Sequence, residues 1–437
     1  MAQILDQPRY KCALGAMHTV HAIPGAIPIL HSGPGCGTRL SDYAGTSGHY
    51  SFHIFPCSSI SEKEVVFGGE PRLQETVENA LKIIDAQLYV VMTGCTSEII
   101  GDDVEAVVGS FKGEEKEVVF ANTPGFKGSN YQGHDWVLQA IFDQYLDADL
   151  HPLVERGLVN LFAGPPMQDP FWLGNLRVLE GLLREIGLTP NTIFGHGRDL
   201  GNVRKLPHAE FNVLVSPWAG LESLQFLSER YSTPLLHYPV LPIGAFETSK
   251  FLRAVAEFTG ADPQLVEKVI KQHEDEYYYY IERYADIFLE ARVVSKRFVT
   301  ISDAQYALAI TKFMVNDLGK FPVKQFVTDG TPPEHRAAIE AEFKNLNYGI
   351  EAEVDFKVSG FEVHREIQEI DFGGPAMIFG SSYETALARK VDGYNIIVSY
   401  PIIERLIING ALAGYHGGLK LLEDMYTAAL TKFALAG

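Results

Sequence analysis

Residues 86–108 read AQLYVVMTGCTSEIIGDDVEAVV: an apolar run rich in β-branched and aromatic residues breaks at Thr93-Gly94, and a cysteine follows where a helical pattern begins. A buried parallel strand reads as such a near-continuous apolar run, and glycine supplies the turn out of it. The same arrangement stands upstream in residues 29–37, ILHSGPGCG, where the run meets Gly33, Gly35 and Cys36. Both segments predict strand, glycine turn, cysteine, helix. A thiolate at a helix N-terminus is favoured by the unpaired amides there, which suits metal ligation, and glycines let the backbone approach a bulky inorganic group. Cys12, in YKCALGAMHTV, is followed by the small residues Ala13, Gly15 and Ala16, which leave similar room.

Outward from these segments the pattern repeats. KEVVFANTP, VNLFAGPP, TIFGHG, FNVLVSPW, RFVTISD, AMIFGSS and YNIIVSY are strand-like runs with helical patterns between them. This alternation predicts βαβ units, hence an α/β fold with parallel sheets, and places the chemistry beyond the carboxyl ends of the strands. Three blocks can be drawn, 1–150, 151–285 and 286–437. The last opens at RFVTISDAQYALAITKFMVNDLG, the start of a fresh Rossmann-type unit. Residues 353–372 read as a connecting segment with an acidic surface helix.

With 36 basic and 55 acidic side chains the formal charge is −19, and the positives form no stripe, which argues against nucleic acid as a partner. No secretory signal or membrane-length apolar stretch is read, so the expected location is cytoplasmic. All four cysteines, Cys12, Cys36, Cys57 and Cys95, fall in the first 95 of 437 residues. In a reducing compartment such grouping points to metal or redox chemistry more than to disulfides, the plain alternative being buried cysteines acting as small hydrophobes. There is no CxxC pair and no HExxH, and His18 and His21, at helical spacing, read as polar surface or as support behind the site. GxGxxG and GxxxxGK[ST] are absent, so no nucleotide phosphate cradle is expected. An iron–sulfur cubane takes four thiolates, so Cys12, Cys36 and Cys95 leave the set incomplete. Either Cys57, with no glycine beside it, completes a cluster, or another chain does.

LHSGPGCG, EKEVVFGGEPRL and VVMTGCTSEIIGDDVEAVV resemble the component 1 proteins of nitrogenase and its relatives. The similarity continues through ANTPGFKGSNYQGHD, LVSPWAGLESLQFLSERYSTPLLHYP and IFGSSYETALARKVDGYNIIVSYPIIERLIINGALAGYHGGLKLLEDM, and so covers essentially the whole chain. The resemblance implies three Rossmann-like domains and an [8Fe-7S] P-cluster at the junction of two subunit types, each giving three cysteines. Cys12, Cys36 and Cys95 would then hold half of it, with Cys57 spare, Gly35 and Gly94 directing amides toward sulfide, and Gly125 beside the cluster. The D-type (α) subunit of the family anchors the catalytic cofactor through a cysteine in its middle region. This chain has none after Cys95, so it resembles the K-type (β) partner, with no catalytic residue of its own, in a D2K2 heterotetramer served by a homodimeric ATP-dependent iron–sulfur reductase.

Two departures bear on the substrate. Thr123-Pro124-Gly125-Phe126 stands where the β subunit of molybdenum nitrogenase has a serine that can ligate the oxidised cluster. The first ligand also comes by residue 12, without a long extension or the CQPxGA pattern. These departures argue against dinitrogen as the substrate; by resemblance alone the chain is most similar in type to methylthio-alkane reductase, which cleaves C–S bonds reductively. A true nitrogenase β subunit, a cofactor-assembly scaffold and a tetrapyrrole-reducing relative are the alternatives.

Overall fold

A computed structural model describes residues 9–48, 55–113, 116–146, 152–290 and 294–435. The apolar runs form thirteen strands among these residues, and every strand pair is parallel. The first sheet holds β1 (Ala26–His31), β2 (Leu88–Thr93) and β3 (Glu117–Ala121), in that order. The second has the order β5-β4-β6-β7, from β4 (Glu155–Phe162), β5 (Thr189–Asn191), β6 (Ala209–Val215) and β7 (Leu235–Tyr238). The third runs β11-β10-β8-β12-β13, with β9 also on β8. Its strands are β8 (Arg297–Ser302), β9 (Phe321–Pro322), β10 (Lys324–Val327), β11 (Glu353–Phe356), β12 (Met377–Gly380) and β13 (Tyr394–Ile397). The α/β class and the parallel sheets expected from the sequence are thus present.

Central β2 shows why its sequence does not alternate. Leu88, Val90 and Met92 point into the main core, while Tyr89 and Val91 point into a second cluster with Ile29, Leu73 and Val77 on the other face. Helices cover both faces, so every residue of the strand is buried. The main core is continuous, joining Val90 of the first sheet to Val213 of the second and Phe379 of the third. Among the described residues no helix is long and apolar enough to cross a membrane.

Two readings need correction. TIFGHG, residues 192–197, is a loop, and the strand precedes it at Thr189–Asn191. Ile193 and Phe194 are apolar because they plug the core from that loop, while Gly195 and Gly197 at positive φ turn it away from the sheet. Residues 353–372 are more than a connector: Glu353–Phe356 is an edge strand, followed by the helix Gly360–Ile367. The last helix, Gly414–Leu435, packs both on β13 of the third sheet and on Gly244–Thr259 and Pro263–Glu290 beside the second.

Candidate metal centre

At the carboxyl edge of the first sheet three neighbouring strands end side by side. β1 ends at His31 and leads into the helix Pro34–Ala44, with Cys36 in its first turn. β2 ends at Thr93, and Cys95 opens the helix Cys95–Ile100. β3 ends at Ala121, four residues before Gly125. Cys12 arrives from the chain's start: Ala13 N donates to Gly128 O (3.0 Å) and Asn130 N to Lys11 O (2.9 Å), which sets Cys12 opposite Ser129. It stands directly before the 3-10 turn Ala13–Ala16. Each of the three cysteines therefore precedes or opens a helical turn.

Gly125 marks where they meet. A Cβ built there would lie 3.4 Å from both Cys12 Sγ and Cys95 Sγ and 2.8 Å from Cys12 Cβ, so a side chain has no room. Partial burial by the surrounding loops pushes the Cys12 thiol above its ordinary value, the Leu14 and Gly15 amides pull it down, and the nearby Cys36 and Cys95 push it up. Sulfur-only donors match the softness of iron–sulfur chemistry. Cys12 is exposed and Cys36 and Cys95 are half-buried, so the site opens outward. The donor set present thus fits an iron–sulfur cluster.

The glycines divide by role. Gly35 is exposed with nothing within 4 Å of its missing Cβ, leaving open space. The Gly94 amide donates to His31 O (2.9 Å), so it is not free to face sulfide as the resemblance suggested. Gly94 is needed for contact instead, since a Cβ there would collide with the Ser32 hydroxyl and lie 2.6 Å from Ser32 Cβ. Cys57 runs beside β1, held by Leu30 N to Pro56 O (2.8 Å) and Ser58 N to Leu30 O (2.9 Å), and its thiol donates to Ser32 O (3.4 Å). His18 is buried, not a surface group.

Sequence reasoning missed what holds the cysteine loops. His31 Nε2 donates to Asp102 Oδ2 (2.9 Å), the other carboxylate oxygen accepts from Gly69 N (2.7 Å), and His31 Nδ1 meets Ser58 Oγ (2.9 Å). Burial lowers the pKa of His31 against the pull of Asp102, and with Nε2 facing the carboxylate the ring's Nδ1 pairs with the Ser58 hydroxyl. The available signal was the motif set itself: Gly69 and Asp102 are the polar partners within GGEPRL and IIGDD.

Three parallel sheets around one core, with three thiols at the edge of the first, define an α/β protein of component 1 architecture. The chain belongs to the nitrogenase component 1 type oxidoreductase family, whose model matches residues 12–430. It is 25% identical to the nitrogenase molybdenum-iron protein beta chain of Rippkaea orientalis, over 94% of this chain and 81% of that one. The corresponding Azotobacter vinelandii chain is 24% identical, over 96% and 82%. One chain of the light-independent protochlorophyllide reductase of Heliobacterium modesticaldum is 24% identical, over 94% and 76%. Among solved structures, nitrogenase Cp1 at pH 6.5 superposes with a TM-score of 0.80 over 99% of this chain and 94% of that one, at 21% identity. Within the family the chain is β-chain-like.

Proposed function

We propose that this chain is the K-type (β) subunit of a nitrogenase-like reductase complex, built from the units 1–150, 151–285 and 286–437. In this reading Cys12, Cys36 and Cys95 supply half the ligands of an [8Fe-7S] P-cluster-type group at the junction with a D-type (α) subunit. The observation that carries the reading is the convergence of Cys12 and Cys95 on Gly125, with Cys36 beside them, at an edge open to a second chain. When bound, such a group supplies reversible electron storage and transfer. The chain's own residues hold three thiolates in place, keep the Cys57 thiol on the Ser32 carbonyl, and present Ile99 (75% exposed) and Phe126 (59% exposed) as an apolar rim for a partner to cover.

Electrons come, in this proposal, from a homodimeric ATP-dependent iron–sulfur reductase and pass to a cofactor in the D-type partner of a D2K2 heterotetramer. Two features support placing catalysis in the partner. No cysteine follows Cys95. The crevice beyond β4, β6, β8 and β10, where open α/β sheets take ligands, is filled by Tyr131, Trp218, Asp303 and Asp329, leaving a cavity of about 10 Å³. That is space for one water at most.

For the reaction we propose reductive C–S cleavage of methylthio compounds, of the methylthio-alkane reductase type. Gly125 supports it: the backbone there approaches Cys12 too closely for the serine that the resemblance associates with molybdenum nitrogenase. The second reading, a nitrogenase β subunit, is favoured by the β-chain relatives. The reconstituted complex separates the two. Methane released from dimethyl sulfide without ammonia from dinitrogen supports the first, and ammonia without methane overturns it.

A further inference from the structure

One buried histidine is wired to both strand-end loops that carry cysteines. His31 is the last residue of β1, and the loop to Cys36 starts from it. Its carbonyl accepts from Gly94 N (2.9 Å) and from Ser97 Oγ (2.8 Å), one residue before Cys95 and two after. Its ring closes a second connection, through Asp102 just beyond the Cys95 helix and through Ser58 in the segment after Cys57. Asp102 is tied in turn to Gly69 N, and Ser58 O accepts from Arg72 Nε (3.0 Å), which fixes both to the start of the helix Glu70–Ile83. Both ring nitrogens are committed, so His31 holds the loops and does not ligate. The His31 and Asp102 side chains are 0% and 2% exposed, so the hydrogen bond between them lacks competition from water.

We propose that His31 is a positioning residue: by tying the Cys36 loop to the end of the Cys95 helix through Asp102, and to the segment after Cys57 through Ser58, it fixes the spacing of the two thiolates and thereby tunes the potential of the iron–sulfur group. The proposal rests on the functional reading above. Groups behind metal ligands orient them and shift redox potential, and removing one buried partner of a charged hydrogen bond leaves the other unsatisfied in the protein interior. Asp102 would keep only the Gly69 amide.

The test uses the complex co-purified anaerobically, with His31→Ala, His31→Gln, Asp102→Asn and the double variant His31→Ala/Asp102→Asn. Iron content, midpoint potential and EPR signature are read on the complex, and alkylation rates of Cys36 and Cys95 on the iron-free chain. His31→Ala and Asp102→Asn should keep most of the iron, move the potential in the same direction, and combine to no more than the larger single shift. His31→Gln, whose amide can donate to Asp102, should recover part of that shift. Alkylation should quicken about tenfold, the factor that losing about 1.4 kcal/mol of loop-closing free energy produces. Iron-loaded variants with parental potential, parental EPR and parental alkylation rates would overturn the proposal. If His31→Ala does not fold, Asp102→Asn carries the same test with the ring in place. A parent complex without iron refutes the functional reading, and the alkylation rates then still decide whether His31 ties the loops.

Discussion

Arg9 and Glu384, far apart in sequence, form a bidentate ion pair out of contact with water, Nη1 to Oε2 at 2.8 Å and Nη2 to Oε1 at 2.6 Å. This pair pins the segment leading to Cys12 to the third sheet, where Ser381 and His364 complete the shell around the carboxylate.

Breaking that pair should be costly. Arg9→Met leaves the buried carboxylate without its bidentate cation, with only His364 and Ser381 as partners, and should destabilise the chain by about 3 kcal/mol, read from a urea midpoint. Burial opposes ionisation of Glu384, but Arg9 and His364 outweigh it and hold its pKa at about 2, below the ordinary 4.5. The stabilisation is therefore fully present above about pH 4.5 and lost as the pH falls toward 2. Arg9→Met should flatten the acid limb of the stability profile, and an unchanged limb would dismiss the pairing.

Asp303 titrates with the opposite sign. It caps the helix Ala304–Asn316 by accepting from Tyr306 N (3.0 Å), yet burial, together with Asp329 and Asp169, pushes its carboxyl up to about 8. A raised carboxyl stabilises below its unfolded pKa of about 4, and that contribution is lost as the pH rises through 8. Asp303→Asn keeps the cap and has no proton to lose. Its urea midpoint should change less than the parent's between pH 5 and pH 9, and identical profiles would count against the assignment.

Glycine positions separate fold from site. Gly94→Ala should destabilise through the collision with Ser32, and Ser32→Gly in the same chain should recover most of the loss. Gly125→Val should displace Cys12 or Cys95 and reduce iron in the complex by more than half while the thermal midpoint changes little. Full iron retention would mean that the thiols do not converge there.

Much of this was legible because β2 is central with every residue buried, and β1 beside it is buried at all but one residue. Residues 86–108 and 29–37 announce themselves as apolar runs ended by glycine, and the cysteines follow directly. Edge and short strands hid. Leu235–Tyr238 and Glu353–Phe356 are four residues each and only half-buried for the most part, and Lys324–Val327 carries Gln325, a polar residue fully buried because its side chain serves Thr300. The thiol ligands could be read from local chemistry, whereas His31, Asp102 and Gly69 act through contacts between segments more than 30 residues apart, which no local pattern displays.

Cysteine replacement should divide the four thiols. Cys36→Ala or Cys95→Ala should abolish the interface iron. Cys57→Ala should leave iron nearly unchanged and cost about 1 kcal/mol or less, the worth of one weak hydrogen bond to Ser32 O. Equal iron loss in all three would return Cys57 to the donor set.

The most direct measurement is iron and sulfide content, with EPR in reduced and stepwise oxidised states, on this chain purified anaerobically with its partner subunit. About eight irons per heterodimer at the interface, beyond any cofactor in the partner and absent from this chain alone, is the predicted result for a cluster shared through Cys12, Cys36 and Cys95. About four irons retained by this chain by itself would make Cys57 a ligand and contradict the shared site.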